Sequence, residues 1–168
     1  MLHASISELT TFRWDLEREI EHLVRHGFDA IALWRTKISD LRHDDVRSLL
    51  RGAGIRVSSL QWAGGFTGSD GRTSRESLGD ALDAIGVQVA DGREGPADGG
   101  ERLPPGLGGL PLADVVGGLI ECGYDGDLEF DPVGESVQWM GYDAVLGRIR
   151  RVADAWSLEA ATHRAVPR

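Results

Sequence analysis

The chain has one cysteine, Cys122, in 168 residues. That excludes a disulfide framework and any zinc site built on cysteine pairs. It also lacks an apolar run near the ~20 residues that cross a bilayer, and its start, MLHASISELT, does not read as a signal peptide. Membrane insertion is therefore not expected, and the cytoplasm is the default location. Basic residues are scarce beside acidic ones, 18 against 27, for a formal net charge of −9. Non-specific nucleic-acid binding needs the opposite balance. Phosphate-loop signatures are missing as well. The glycine-rich stretch SSLQWAGGFTGSDGR (Ser58 to Arg72) fits neither G-x-x-x-x-G-K-[ST] nor G-x-G-x-x-G.

What the chain has in excess is glycine, 23 residues where an average ~7% usage would give about 12. The glycines punctuate a repeated grammar of amphipathic run, glycine, then short apolar segment. In WDLEREIEHLVRHGFDAIALWR, Leu16, Ile20, Leu23 and Val24 share a helical face, Thr11 can cap, Gly27 ends the helix, and Ala30 to Trp34 read as a buried strand. In DDVRSLLRGAGIRVSSLQW, Val46, Leu49 and Leu50 form the helical face, Gly52 and Gly54 are stops, and Ile55 to Trp62 are strand. In PLADVVGGLIECGYDGDLEFDP, Pro111 suits a first helical turn and Leu128 to Asp131 are strand. Further strands are expected at His3 to Ser7 and Gly86 to Asp91, with a helix over Ser74 to Ile85 and a last one bearing Val145, Ile149, Val152 and Trp156. Five βα units in series predict a parallel α/β sheet. The predicted domain spans residues 1–158, with 159–168 as a flexible tail. Between the fourth strand and its helix, GREGPADGGERLPPGLGG is longer than a simple connector, as functional or mobile loops are.

These segments resemble the sugar phosphate isomerase/epimerase family of xylose-isomerase-like TIM barrels. TTFRWDLEREIEHLVRHGFDAIALWR is similar to the family's first helix and second strand. GIRVSSLQWAGGFTGSDGRTSRESLGDALDAI resembles the third strand, its loop and the third helix. VQVADGREG…RLPPGLGGLPLADVVGGLIECGYDGDLEFD resembles the seventh strand through the eighth. The resemblance covers residues 3 to 157 and implies a truncated barrel lacking the equivalents of strands four to six. Length agrees, since a whole barrel takes ~250 residues. The surviving strands would lie in the order seven, eight, one, two, three, which here is the chain order 4-5-1-2-3. Family members hold a divalent metal through a glutamate on strand five, an aspartate on strand six, a histidine and a glutamate ending strand eight. The first two positions have no counterpart here, and Asp131 stands at the last. The resemblance thus implies no metal site within one chain, and a divalent ion only if assembled across a dimer. His22 and His26, four apart, read as a solvated helix face. Open sheet edges favour association, so a homodimer is expected, each copy covering the other's open side.

Ligands of α/β sheets bind beyond the carboxyl ends of the strands. Those ends offer Ser7 and Glu8, Trp34 and Arg35, Gln61 and Trp62, Gln88 with Asp91 and Arg93, and Glu129 with Asp131. Asp91 and Asp131 end adjacent strands, where two carboxylates would push each other's pKa apart into a base and an acid. Strand-end aspartates also hold turn amides, so both roles stay open. Glu129 alternates with Asp131 and faces the same side. Arg35, Arg93 and Arg102 are candidates for an anionic group, and Trp34 and Trp62 for stacking, with Gln61 and Gln88 as polar contacts. The function expected is isomerase-, epimerase- or lyase-like acid/base chemistry on a small carbonyl or sugar-like metabolite, without cofactor. The alternatives are a metal-free cyclase or dehydratase acting on a larger substrate, and a non-catalytic partner subunit.

Overall fold

The computed structural model describes residues 3–61, 87–92, 101–121, 124 and 126–164. The predicted helix 74–85, the glycine-rich loop 62–72 and segment 93–100 lie outside them. Chain order is β1 (His3–Ser7), α1 (Leu16–Arg25), β2 (Ala30–Trp34), α2 (His43–Ala53), β3 (Arg56–Gln61), β4 (Val87–Val89), α3 (Leu112–Glu121), β5 (Asp127–Phe130), α4 (Glu135–Met140) and α5 (Tyr142–Arg164). The strands form one sheet in the order β3-β2-β1-β5-β4. Every pairing is parallel. The expected order is therefore observed: a curled half-barrel of five parallel strands with helices.

Alternation along the strands decides which face meets the helices. Ile6, Ile31, Leu33, Val89, Leu128 and Phe130 point outward into one apolar core with Leu16, Ile20 and Leu23 of α1, Val46 and Leu50 of α2, and Val145, Leu146 and Ile149 of α5. Phe130 stacks on Trp156 of α5 at 6.0 Å. Three details differ from the sequence expectation. Asp15, not Thr11, caps α1 by accepting from the Arg18 N–H at 2.8 Å. Val24 is exposed rather than part of the buried face. Gly52 lies inside α2, which stops at Gly54, whose φ of +70° favours glycine. The last helix, α5, runs to Arg164.

The opposite face carries Ser5, Ser7, Ala30, Ala32, Ser59, Gln61, Glu129 and Asp131. It is concave, and its side-chain contacts show how strongly the sheet curls. Neighbouring strands lie ~4.8 Å apart, so β1 and β3, separated by β2, would sit about 10 Å apart in a flat sheet. Yet Ser5 Oγ lies 2.5 Å from Ser58 Oγ, and Ser7 Oγ donates to Gln61 Oε1 at 2.9 Å. Across three strand intervals, Arg56 of β3 reaches Asp127 of β5 with two hydrogen bonds of 2.5 and 2.6 Å. β2 permits this because the concave-face residues before Trp34 are alanines, Ala30 and Ala32, both buried. A bulge between Ile31 and Ala32 in the β2–β3 register lets Ser58 and Ser59 both face the concavity.

On the helix side, three ionisable groups are buried together. Lys37 Nζ contacts Glu8 of the β1 end at 3.6 Å and hydrogen-bonds Glu19 of α1, which also accepts from Thr11. Glu8 additionally accepts the Trp34 backbone N–H, tying the ends of β1 and β2. One lysine cannot neutralise two carboxylates. Burial pushes Glu19 up to about 8 against the pull of Lys37, with Glu8 adding to the rise, and burial raises Glu8 too. The folded chain thus holds a proton that the unfolded chain releases near pH 4.5, so folding weakens as pH rises.

Two outcomes follow for stability. Ala32→Leu should cost about 1–3 kcal/mol by overpacking the concavity, read as a lower denaturant midpoint; an unchanged midpoint would show that the curl does not depend on small side chains here. Between about pH 4.5 and 8, unfolding free energy should fall by up to about 1.4 kcal/mol per pH unit for the one proton held on Glu19. Glu19→Gln should flatten that slope in urea titrations across pH.

Candidate functional site

The β5 strand, DLEF, alternates so that Leu128 and Phe130 enter the core while Glu129 and then Asp131 face the concavity. Both carboxylates are buried. Burial raises the Asp131 carboxyl above its ordinary value; the neighbouring Ser7 hydroxyl and Arg102 guanidinium oppose the rise without cancelling it. Arg102 Nη1 lies 2.8 Å from Asp131 Oδ2, an ion contact out of line for a hydrogen bond, and neither carboxylate oxygen accepts one. Ser7 has a single proton, and it points to Gln61 Oε1. Turning the Gln61 amide over would let its Nε2 donate to Ser7 Oγ and free the hydroxyl for Asp131. Ser7 is thus the point where β3 and β5 meet chemically.

Among the described residues, eight buried polar side-chain atoms lack a hydrogen-bond partner, and six lie on this one face: Trp34 Nε1, Ser59 Oγ, Gln61 Nε2, Glu129 Oε1 and both Asp131 oxygens. The other two are Glu8 Oε1 and Arg150 Nε. Apart from Asp131 Oδ2, which lies against Arg102, each such atom costs ~1–3 kcal/mol, and their concentration makes this concave surface at the carboxyl end of the sheet the candidate site for a polar ligand.

Asp91 has a different environment. Its Oδ1 accepts from the amides of Gly92 at 2.8 Å and Leu110 at 3.2 Å, its Oδ2 from Gly106 at 2.8 Å and Gly108 at 3.0 Å. Burial alone would raise this carboxyl; the four amides outweigh it and hold it below the ordinary value. The pKa directions of Asp91 and Asp131 therefore do split, but through burial and amides rather than mutual repulsion. Asp91 has its oxygens filled and organises the loop 101–110. A Cβ on Gly108 would lie 2.3 Å from Asp91 Oδ1, which is why that residue has no side chain. Arg148 of α5 grips the same loop through the carbonyls of Pro105 and Gly106, both at 2.7 Å. The loop's other end is fixed by Arg102 and Val133, which exchange backbone hydrogen bonds. This clamp delivers Arg102 to Asp131.

The remaining predicted residues divide. Trp34 and Gln61 are paired in register on the concave face. Arg35 follows Trp34 directly and is half-buried. Gln88 sits opposite Glu129 on the edge strand β4 but is exposed. Trp62 and Arg93 lie outside the described residues. Ser59 was not anticipated; the only signal was its two-residue spacing from Gln61. Ser7, Gln61, Glu129 and Asp131 are buried within the single chain.

No protein-family model matches the chain, and no curated protein sequence does. Solved structures do. A xylose isomerase domain protein from Alicyclobacillus acidocaldarius subsp. acidocaldarius aligns at TM-score 0.72 and 11% identity, covering 96% of this chain and 100% of that one. The IOLI protein with a binding zinc atom aligns at TM-score 0.53 and 11% identity, covering 96% and 99%. The chain therefore has the xylose-isomerase-like fold, in half-barrel form. Zinc belongs to that second protein. Here, among the described residues, no three His, Cys, Asp or Glu side chains could share a metal. Asp91 is saturated, Asp131 faces Arg102, and His22 and His26 both bond Asp143 Oδ1, at 2.5 and 3.0 Å. His22 is buried against Trp14 at 4.2 Å, not solvated as its spacing suggested. The described residues do not fit a metal. Nor is any helix among them long and apolar enough to cross a membrane.

Asp91→Ala would strand four amides. It should lower stability by ~3 kcal/mol, seen as a shift in urea midpoint, with Asp91→Asn also destabilising because its NH2 would face donors. A midpoint within error of the parent would remove the clamp.

Proposed function

We propose that the concave face is the active site of an isomerase- or epimerase-like enzyme acting on a small hydroxylated carbonyl compound. The observation that carries this is Asp131: a buried carboxyl, raised by burial, with neither oxygen accepting a hydrogen bond, at the carboxyl end of β5. A carboxylate so placed is a competent base toward a weakly acidic C–H, because burial raises its affinity for a proton and the Ser7 and Arg102 contacts do not cancel that rise. The substrate lies over Ser7. Asp131 takes the proton from the carbon next to the carbonyl; the electron pair moves to the carbonyl oxygen, where the Gln61 amide and Trp34 indole N–H groups stabilise the developing negative charge. Returning that proton to the former carbonyl carbon, while the proton of the adjacent hydroxyl passes to the carbonyl oxygen, gives the isomer; entry of a water proton from the opposite face of the first carbon, with Asp131 keeping the one it took, gives the epimer. Arg102 balances the carboxylate's charge while the proton is away. The fold likeness to the xylose isomerase domain protein supports the reaction class. The expected homodimer stays part of this reading as an assembly through the β3 and β4 edges, not as a requirement of the site.

The test runs across a panel of small carbonyl compounds. Three- to six-carbon hydroxy-aldehydes and hydroxy-ketones are incubated with protein in D2O, and deuterium at the carbon next to the carbonyl is followed by NMR. Exchange should occur with at least one compound and fall ~10²–10⁴-fold in Asp131→Asn. Stability of that variant should hold or rise, since a buried charge is removed. If no compound exchanges, or if Asp131→Asn exchanges at the parent rate, the proposal is wrong.

A further inference from the structure

The unpartnered atoms of the concave face are not mixed at random. On β2 and β3 stand donors, Trp34 Nε1 and Gln61 Nε2, with the Ser59 hydroxyl beside them. On β5 stand acceptors only, Glu129 Oε1 and the two Asp131 oxygens. Between them β1 contributes only the small Ser5 and Ser7. A complementary ligand therefore has its own polarity, acceptor atoms toward β2 and β3 and donor groups toward β5. The curl of the sheet turns these two sets toward one another, so that one small molecule can bridge them.

Charge narrows the class further. Among the described residues, the β5 end has two carboxylates facing one cation, Arg102. The other cations described near this end of the sheet are committed: Lys37 to Glu8 and Glu19, while Arg35 has an interaction of its own. Arg56 lies at the amino end of the sheet, bonded to Asp127. A phosphate or carboxylate over β5 would meet like charge in a buried setting, where repulsion is costly. We infer that the site takes a small carbonyl compound bearing a protonated amine, the ammonium seated on Glu129 and the carbonyl oxygen on Gln61 and Trp34. Glu129 then holds the ligand and Asp131 remains for the proton. This rests on the concave face being the ligand site, as proposed above, and adds the charge of the substrate.

Glucose, glucosamine and glucose 6-phosphate are the probes, titrated into the full-length protein by calorimetry at pH 7 and constant ionic strength. Glucosamine should bind about tenfold tighter than glucose, equivalent to ~1.4 kcal/mol, with glucose 6-phosphate weakest. Glu129→Gln should erase the preference of amine over glucose. Tighter binding of glucose 6-phosphate than of glucosamine, or equal affinity for all three, overturns the inference. So does binding by none of them. The order on the unsubstituted protein decides the matter even if Glu129→Gln does not fold. Deuterium exchange with a phosphate-preferring site would refute the amine alone, whereas amine preference without any exchange would refute the catalytic reading alone.

Discussion

The structure depends on the contact of β1 with β3 over the top of β2. Ser5 with Ser58 and Ser7 with Gln61 bridge strands that do not pair with each other. They can do so only because Ala30 and Ala32 leave the intervening surface low. With larger residues on β2 the sheet would flatten, Gln61 would move away from Ser7, and Asp131 would lose the neighbours that make it chemically interesting. Curl is thus a side-chain property here. It is secured at the amino end by Arg56 and Asp127, and it brings the carboxyl ends of β3 and β5 to a common point.

Around that point, buried charge is handled in two opposite ways. Outside the concavity it is largely compensated: Asp91 by four amides, Glu8 and Glu19 by Lys37 and a retained proton. Inside it, Glu129, Asp131, Gln61 and Ser59 keep unpartnered atoms. Folding alone would favour the first treatment everywhere, since unpaired buried polar atoms weaken the folded state. Their persistence on a single face is the mark of a surface selected for something other than stability.

Much of this was legible from residue order. Period-two alternation in HASIS and DLEF placed Glu129 and Asp131 on one side, and glycines 27 and 54 ended the helices where φ turns positive. The motif order anticipated the sheet order. Less legible was the role of Asp91, because a strand-end aspartate before glycine is equally a proton-transfer group and a turn anchor until the loop 101–110 is seen folding onto it. The histidines misled for a related reason: spacing put His22 and His26 on one helical face but could not show α5 arriving with Asp143 to cover it.

What the sequence by itself determined is local: which residues alternate, where helices stop, that the chain is too short for a whole barrel, and which polar residues reach the strand ends. These follow from backbone sterics and periodicity, which act over a few residues. Tertiary structure alone decided which of those polar groups would be satisfied. Asp91 and Asp131 are the same side chain at the ends of adjacent strands, yet one is filled by amides from residues 92, 106, 108 and 110 and the other faces Arg102 with both oxygens unbonded. Hydrogen-bond satisfaction depends on partners distant in the chain, and only the fold brings those partners within reach.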